Sequence, residues 1–255
     1  MAYAATAGEI PSPAEAAPGV LALQRALVWL IGASGAIVFI EPSPYEVVTL
    51  VAIVLFFATG MRLRLVFMPL LTLVVVINIG YSIGAIPVFG APLVLNWIMT
   101  SWYMAVTAIF LAMVIAEDTT ARLDMLRRGL LVGAMIASLA AIGGYFNLVP
   151  GEHDLLTLYG RGRGTFKDPN VLGAFLILPA LFALQSVVAD SFGKAFRNAI
   201  ALAIIALAIL LAFSRAAWGG LILTSSCMLS LRVLTGRTPA QRSRIVVMAV
   251  TALLA

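Results

Sequence analysis

Metal and redox chemistry have little to work with in this chain: its 255 residues include one cysteine, Cys227, and one histidine, His153. A single cysteine forms no intrachain disulfide and no cysteine-type metal cluster. No set of His, Cys or carboxylate residues has ligand spacing either, so neither a metal nor another cofactor is expected. Cys227 falls in the apolar run 221–231 and reads as a small buried hydrophobe. Charge is scarce as well. Only 11% of the residues are charged and 62% are apolar, with a mean hydropathy of +1.08, where a soluble domain carries about 25% charged and roughly 45–50% apolar residues. That surplus excludes a soluble globular domain and makes lipid the natural solvent. The net charge of +5 does not imply a nucleic-acid partner, because in a multi-span protein basic residues first report orientation.

Lys and Arg are also missing from the first twenty residues, which carry Glu9, Glu15 and three prolines. Because the basic n-region of a cleaved signal peptide is lacking, residues 1–20 are expected to form a disordered cytoplasmic tail ahead of a multi-span membrane domain, 21–255. What the chain does have is apolar runs. They lie at about 21–40, 45–60, 65–86, 93–116, 129–149, 171–189, 198–213, 216–231 and 245–255, separated by proline, glycine or charge where a helix should leave the bilayer. A span needs about 20 residues, so the expected architecture is an all-α polytopic membrane protein of about eight complete transmembrane helices and a truncated ninth. The second run is short for a span.

Alternating the connections between two faces sorts the basic residues. With the amino terminus inside, Arg25, Arg62, Arg64, Arg122, Arg127, Arg128, Lys194, Arg197, Arg232, Arg237, Arg242 and Arg244 are inside, and only Arg161, Arg163, Lys167 and Arg215 are outside. This asymmetry favours a cytoplasmic amino terminus. It also singles out the exceptions, which concentrate in the connections 150–170 and 214–215. In the first, Gly160, Gly162 and Gly164 alternate with Arg161 and Arg163. Glycine lets backbone approach a ligand closely, and guanidinium presents a planar fork of donors suited to phosphate oxygens. Asp168-Pro169 reads as an N-cap followed by proline at the first helical position, which sets a helix N-terminus, itself an anion site, beside the arginines. The second connection follows from length. Residues 198–231 hold a single charge, Arg215, and as one helix they would extend about 51 Å, so they must turn near Phe213-Ser214-Arg215. An arginine that close to the bilayer needs a partner and is a functional candidate.

Other features read more plainly. His153, between Glu152 and Asp154, is expected to be a solvated loop residue, and Glu117, Asp118 and Asp124 with their neighbouring arginines a solvated loop. Trp97, Trp102 and Tyr103 are expected to form an interfacial aromatic belt.

The segment Arg163-Gly164-Thr165-Phe166-Lys167-Asp168-Pro169-Asn170-Val171-Leu172-Gly173 resembles the R-x-G-T-F-x-(N/D)-P-N-x-(L/F)-(A/G) signature of the O-antigen ligase and polymerase superfamily. Phe213-Ser214-Arg215-Ala216-Ala217-Trp218 is similar to its second signature, T-x-S-R-(G/A)-(A/S). The resemblance covers about 160–231. It implies a GT-C-like glycosyltransferase of the bacterial inner membrane that moves a glycan from undecaprenyl diphosphate to a hydroxyl of a lipid or glycan acceptor at the periplasmic face. Carried onto this sequence, it implies that Arg163 or Arg161, one residue to either side of the position where the signature's spacer sets its arginine, and Arg215 bind the diphosphate. Gly164, Asp168, Pro169, Asn170 and Ser214 complete the motifs, and Lys167 is added as support on charge alone. In the family a large periplasmic loop with an acceptor-activating histidine follows. Residues 245–255 would rise only ~17 Å, so the expectation is an amino-terminal portion lacking that loop, with no residue assigned as catalytic base. A lipid-carrier flippase or anion transporter is the alternative. Such proteins place polar or ionisable groups at mid-span in repeated, broken helices, whereas mid-span polarity here is limited to Asn78 and small hydroxyls.

Overall fold

The computed structural model describes residues 18–148, 150–151 and 153–235. The remainder of the tail, Glu152, Arg237, Arg242, Arg244 and the ninth apolar run lie outside the described residues. Nine α-helices occur among the described residues: α1 (Pro18–Ser34), α2 (Pro44–Ala58), α3 (Met68–Gly84), α4 (Val94–Glu117), α5 (Thr119–Tyr145), α6 (His153–Leu156), α7 (Pro169–Ala189), α8 (Phe192–Leu211) and α9 (Arg215–Thr235). Six segments, those of α3, α4, α5, α7, α8 and α9, are long and apolar enough to cross a membrane; α1 and α2 are apolar but shorter. The chain is thus an all-α protein of membrane-embedded type.

Helices α1, α5 and α8 depart from the apolar runs, α8 by starting at Phe192, six residues before residue 198. α1 starts at Pro18, inside the stretch assigned to the tail, and stops at Ser34 rather than at residue 40. It stops early because the Ala36 carbonyl accepts from Thr165 Oγ1 (2.5 Å) and the Val38 amide donates to the Thr165 carbonyl (3.0 Å). α5 begins ten residues before its apolar run. Residues 119–128 are mostly good helix formers, and Asp118 Oδ1 accepts from the Ala121 amide at 3.2 Å. Charge ends a helix's passage through hydrocarbon without ending the helix, so the expected loop 117–128 is largely helical. α2 has a capping box: the Ser43 amide donates to Glu46 Oε2 (3.0 Å), and the Glu46 amide donates to Ser43 Oγ (3.4 Å).

The chain divides into two compact units, one of residues up to Val28 with Thr49–Asp124, the other of Trp29–Val48 with residues from Met125 on. In the first, α3 is inverted relative to a helix in water. Its one buried residue is Asn78, while Val76, Ile77 and Ile83 are exposed. Asn78 Oδ1 accepts from Ser101 Oγ on α4 (2.7 Å), Ser82 Oγ donates to the Asn78 carbonyl (2.8 Å), and Trp102 Nε1 donates to Ser82 Oγ (3.2 Å). Between helices in lipid, side-chain hydrogen bonds and packing replace the hydrophobic drive. Trp102 therefore belongs to this ladder, and the Tyr103 hydroxyl is buried; of the expected aromatic belt only Trp97 is exposed. Asn78→Leu should weaken the α3–α4 pair by about 1 kcal/mol, read as lower thermal stability in nanodiscs. An unchanged melting temperature would mean the ladder contributes nothing.

The same unit corrects the expected solvated loop. Arg122 is 8% exposed. Its Nη1 pairs with Glu117 Oε2 at 2.6 Å and donates to the Val114 carbonyl at 3.0 Å, while Nη2 donates to Gln24 Oε1 at 3.0 Å. The guanidinium lies 5.1 Å from the Phe56 ring centroid, a cation–π contact.

In the second unit α7 is central. Leu172, Leu176, Pro179 and Ala180 are fully buried, among Ile205, Ala208 and Ile209 of α8 and Ala217 of α9. α5 contributes a stripe of small residues four apart: Gly129, Gly133, Ala137 and Ala141. A Cβ at Gly129 would overlap the Trp29 carbonyl oxygen, and one at Gly133 would come within 2.6 Å of the Ala33 carbonyl oxygen. Gly32 of α1 faces α5 in the same way, its Cβ position lying 2.6 Å from the Leu126 carbonyl oxygen. α1 and α5 thus cross at backbone contact, as small-residue spacing permits in membranes. α9 is largely exposed, and Cys227 is exposed with it. The expectation of a buried thiol fails because in lipid an apolar face turns outward.

Candidate anion-binding site

The connection between α5 and α7 is a folded unit. After α6, strands β1 (Thr157–Leu158) and β2 (Arg161–Gly162) pair antiparallel, Leu158 opposite Arg161. Their turn, Tyr159-Gly160, has positive φ at both residues, 52° and 70°, as a type I′ hairpin requires. Gly164 has φ 53°, and a Cβ there would lie 2.5 Å from the Ala137 carbonyl oxygen. Gly162 lies against Ala141. These glycines serve the turn and the seating of the hairpin on the small stripe of α5; the close approach expected toward a ligand is made instead to a helix.

The arginines flanking Gly162 are not equivalent. Arg163 spends its guanidinium on local carbonyls: Nε on Leu155 (3.0 Å), Nη2 on Asp154 (2.9 Å) and Nη1 on Lys167 (3.5 Å). It braces the loop internally. Arg161 reaches farther, with Nε donating to the Ala212 carbonyl (2.8 Å) and Nη2 to Asn170 Oδ1 (2.8 Å). One side chain therefore joins the hairpin, the first turn of α7 and the α8–α9 turn. Gly173 draws the same parts together, since a Cβ there would lie 2.7 Å from Ala217 Cβ and 3.5 Å from Ser214 Cβ. The two segments singled out in the sequence are thus neighbours in space.

Lys167 forms an ion pair with Glu41, which neutralises it where it stands. Asp168 is the N-cap of α7, accepting from the Asn170 amide at 2.7 Å, with Pro169 at the first helical position. Its carboxylate already offsets the positive end of that helix. α9 differs. Ser214, buried, accepts from the Ala217 amide through Oγ (3.4 Å) and from the Trp218 amide through its carbonyl (3.0 Å), so the cap is neutral. Arg215 occupies the first turn, is exposed, and has no hydrogen bond or ion pair with any described residue. A cation at a helix N-terminus opposes the macrodipole by about 0.3–1 kcal/mol, a conflict that a bound anion would relieve. The better anion position is therefore at α9, and the anion site expected at α7 is occupied by its own cap.

His153 is exposed, but its ring is oriented: Nδ1–H donates to the Gly144 carbonyl at 2.9 Å, and Nε2 has no partner among the described residues. Among the described residues no His, Cys, Asp and Glu cluster could hold a metal ion. Glu41, the partner of Lys167, stood out only as the start of a break between apolar runs, and Ala212, which contributes only a carbonyl, had no signal in the sequence pattern. The small stripe under the hairpin did have one, the four-residue spacing of Gly129, Gly133, Ala137 and Ala141. No family model, curated protein or solved structure matches the chain.

Proposed function

We propose that this protein is a membrane glycosyltransferase of the O-antigen ligase and polymerase type. In this reading Arg215 and Arg161 hold the diphosphate of an undecaprenyl-diphosphate-linked glycan while the glycan passes to a hydroxyl of a lipid or glycan acceptor. The fold is GT-C-like, set in a bacterial inner membrane with the amino terminus cytoplasmic. α1 and α2 are two short spans completing the eight, and 150–170 is periplasmic. Contacts within each unit agree with that alternation. Arg122 meets Gln24, which also donates to Thr59. Arg127 meets Ser186, Lys167 meets Glu41, and Arg161 meets Ala212. Each pair joins connections or run ends assigned to one side.

The observation that carries the reading is Arg215, without a partner among the described residues, at a neutral-capped helix start beside a turn that Arg161 ties to the α7 motif. In the reaction the bond between the sugar's anomeric carbon and the diphosphate oxygen breaks, and the electron pair leaves with the diphosphate. The acceptor oxygen bonds to that carbon and gives up its proton to the released diphosphate or to water. Guanidinium charge aimed at the leaving oxygens lowers the barrier. Arg215→Ala should reduce binding of undecaprenyl-diphosphate-linked glycan in nanodiscs at least about tenfold, since charge-assisted hydrogen bonds to a desolvated anion are each worth roughly 1.5–3 kcal/mol. Exposure of Arg215 makes this variant safe for folding, whereas Arg161→Ala also removes a brace. Unchanged donor binding by Arg215→Ala would refute the site. Labelled donor that changes leaflet in proteoliposomes without transfer would favour a flippase.

A further inference from the structure

Phe213, between Ala212 and Ser214, occupies a position that usually belongs to glycine. It follows the last turn of α8 with φ 46°, the left-handed conformation in which helices terminate and for which a bulky side chain carries a steric cost. The chain nevertheless places a phenyl ring there, 47% exposed. The ring has two aromatic neighbours. Tyr145 lies 6.0 Å away between centroids, and Trp218 lies 6.3 Å away; Trp218 is itself tethered by Nε1 to the Ile209 carbonyl at 2.9 Å. The preceding carbonyl is the one Arg161 holds, and two residues on is Arg215. A ring serving only as a lipid anchor needs no fixed place and no strained backbone. A ring that must stand at a set position in the turn that Arg161 holds and Arg215 follows does.

We infer that Phe213, backed by Tyr145 and Trp218, is the platform for the sugar ring attached directly to the diphosphate, its face stacked on the C–H face of the pyranose. This rests on the diphosphate reading of Arg161 and Arg215. Aromatic faces with a few convergent polar groups are the usual lining of such subsites. Phe213 is then a specificity-determining residue: it recognises the presence of a sugar, while the arginines recognise the diphosphate.

The test compares two probes in nanodiscs, undecaprenyl diphosphate alone and the same lipid carrying one N-acetylglucosamine. The wild-type protein should prefer the glycosylated lipid by about three- to tenfold, the range that a stacking contact supports. Phe213→Gly removes the ring while suiting the backbone, so its melting temperature should hold or rise. It should bind the bare lipid as before and lose the preference, and Phe213→Trp should restore it. Equal wild-type binding of both lipids, or an equal fall for both in Phe213→Gly, would overturn the platform. So would a fall in its melting temperature, which would mark the ring as structural. Arg215→Ala separates the two proposals. Loss of both lipids supports the diphosphate site, and retention of both with the Phe213 effect intact refutes that site while leaving the platform standing.

Discussion

Gly129→Ala should lower the melting temperature of the protein in detergent or nanodiscs by roughly 6–12 °C, while the same substitution at Gly80 leaves it unchanged or raises it. Both glycines lie within helices, where alanine is favoured by up to about 1 kcal/mol. The difference is what the new methyl meets. At Gly80 there is nothing within 4 Å; at Gly129 it would overlap the Trp29 carbonyl oxygen and stand 3.0 Å from the Ala33 amide nitrogen. Those are backbone atoms, which cannot rotate aside as a side chain would. α1 and α5 would have to separate along the stripe that also seats the hairpin, at about 3 kcal/mol, the upper end of ordinary overpacking. Equal melting temperatures for the two variants would show that the crossing is looser than these contacts require.

The second large effect is expected at Arg122. Arg122→Met keeps the bulk over Phe56 but strips the Glu117 carboxylate, the Val114 carbonyl and the Gln24 amide oxygen of their donor. Removing one partner of a fully buried pair costs roughly 3–5 kcal/mol. Glu117 keeps about a third of its side chain exposed (35%), so water reaches it and about 2–3 kcal/mol is the better expectation. Glu117→Gln should cost less, because Arg122 keeps its two carbonyl-type acceptors. A double-mutant cycle on unfolding free energy measures the coupling; a value near zero would make the ion pair incidental and leave packing as the role of Arg122.

These two sites also show where reading the chain in one dimension stops. Span-length runs are properties of local composition, and the helices α3, α4, α7 and α9 follow them closely. Asp168 and Pro169 were equally legible, because a cap is settled by its own neighbours. The turn before Arg215 followed from length alone. Burial was not legible. In lipid, apolarity does not say which face is inside, so Cys227 turned out exposed and polar Asn78 buried. Nor could the sequence distinguish Arg161 from Arg163. Their roles depend on which carbonyls they meet, and for Arg161 the decisive one lies 51 positions along the chain. Arg122 looked solvated because its neighbours are charged, and it is buried because Gln24, 98 positions earlier, closes over it.

That separation of 51 residues between Arg161 and its acceptor also orders events during synthesis. At roughly 5–20 residues per second, about 3–10 s pass between the emergence of Arg161 and that of Ala212. Through that interval the hairpin can form its turn and settle on α5, but the guanidinium that links it to the rest lacks its acceptor. The link closes only after α7 and α8 have been made, so a nascent chain arrested before Ala212 should hold the loop folded yet still open to protease.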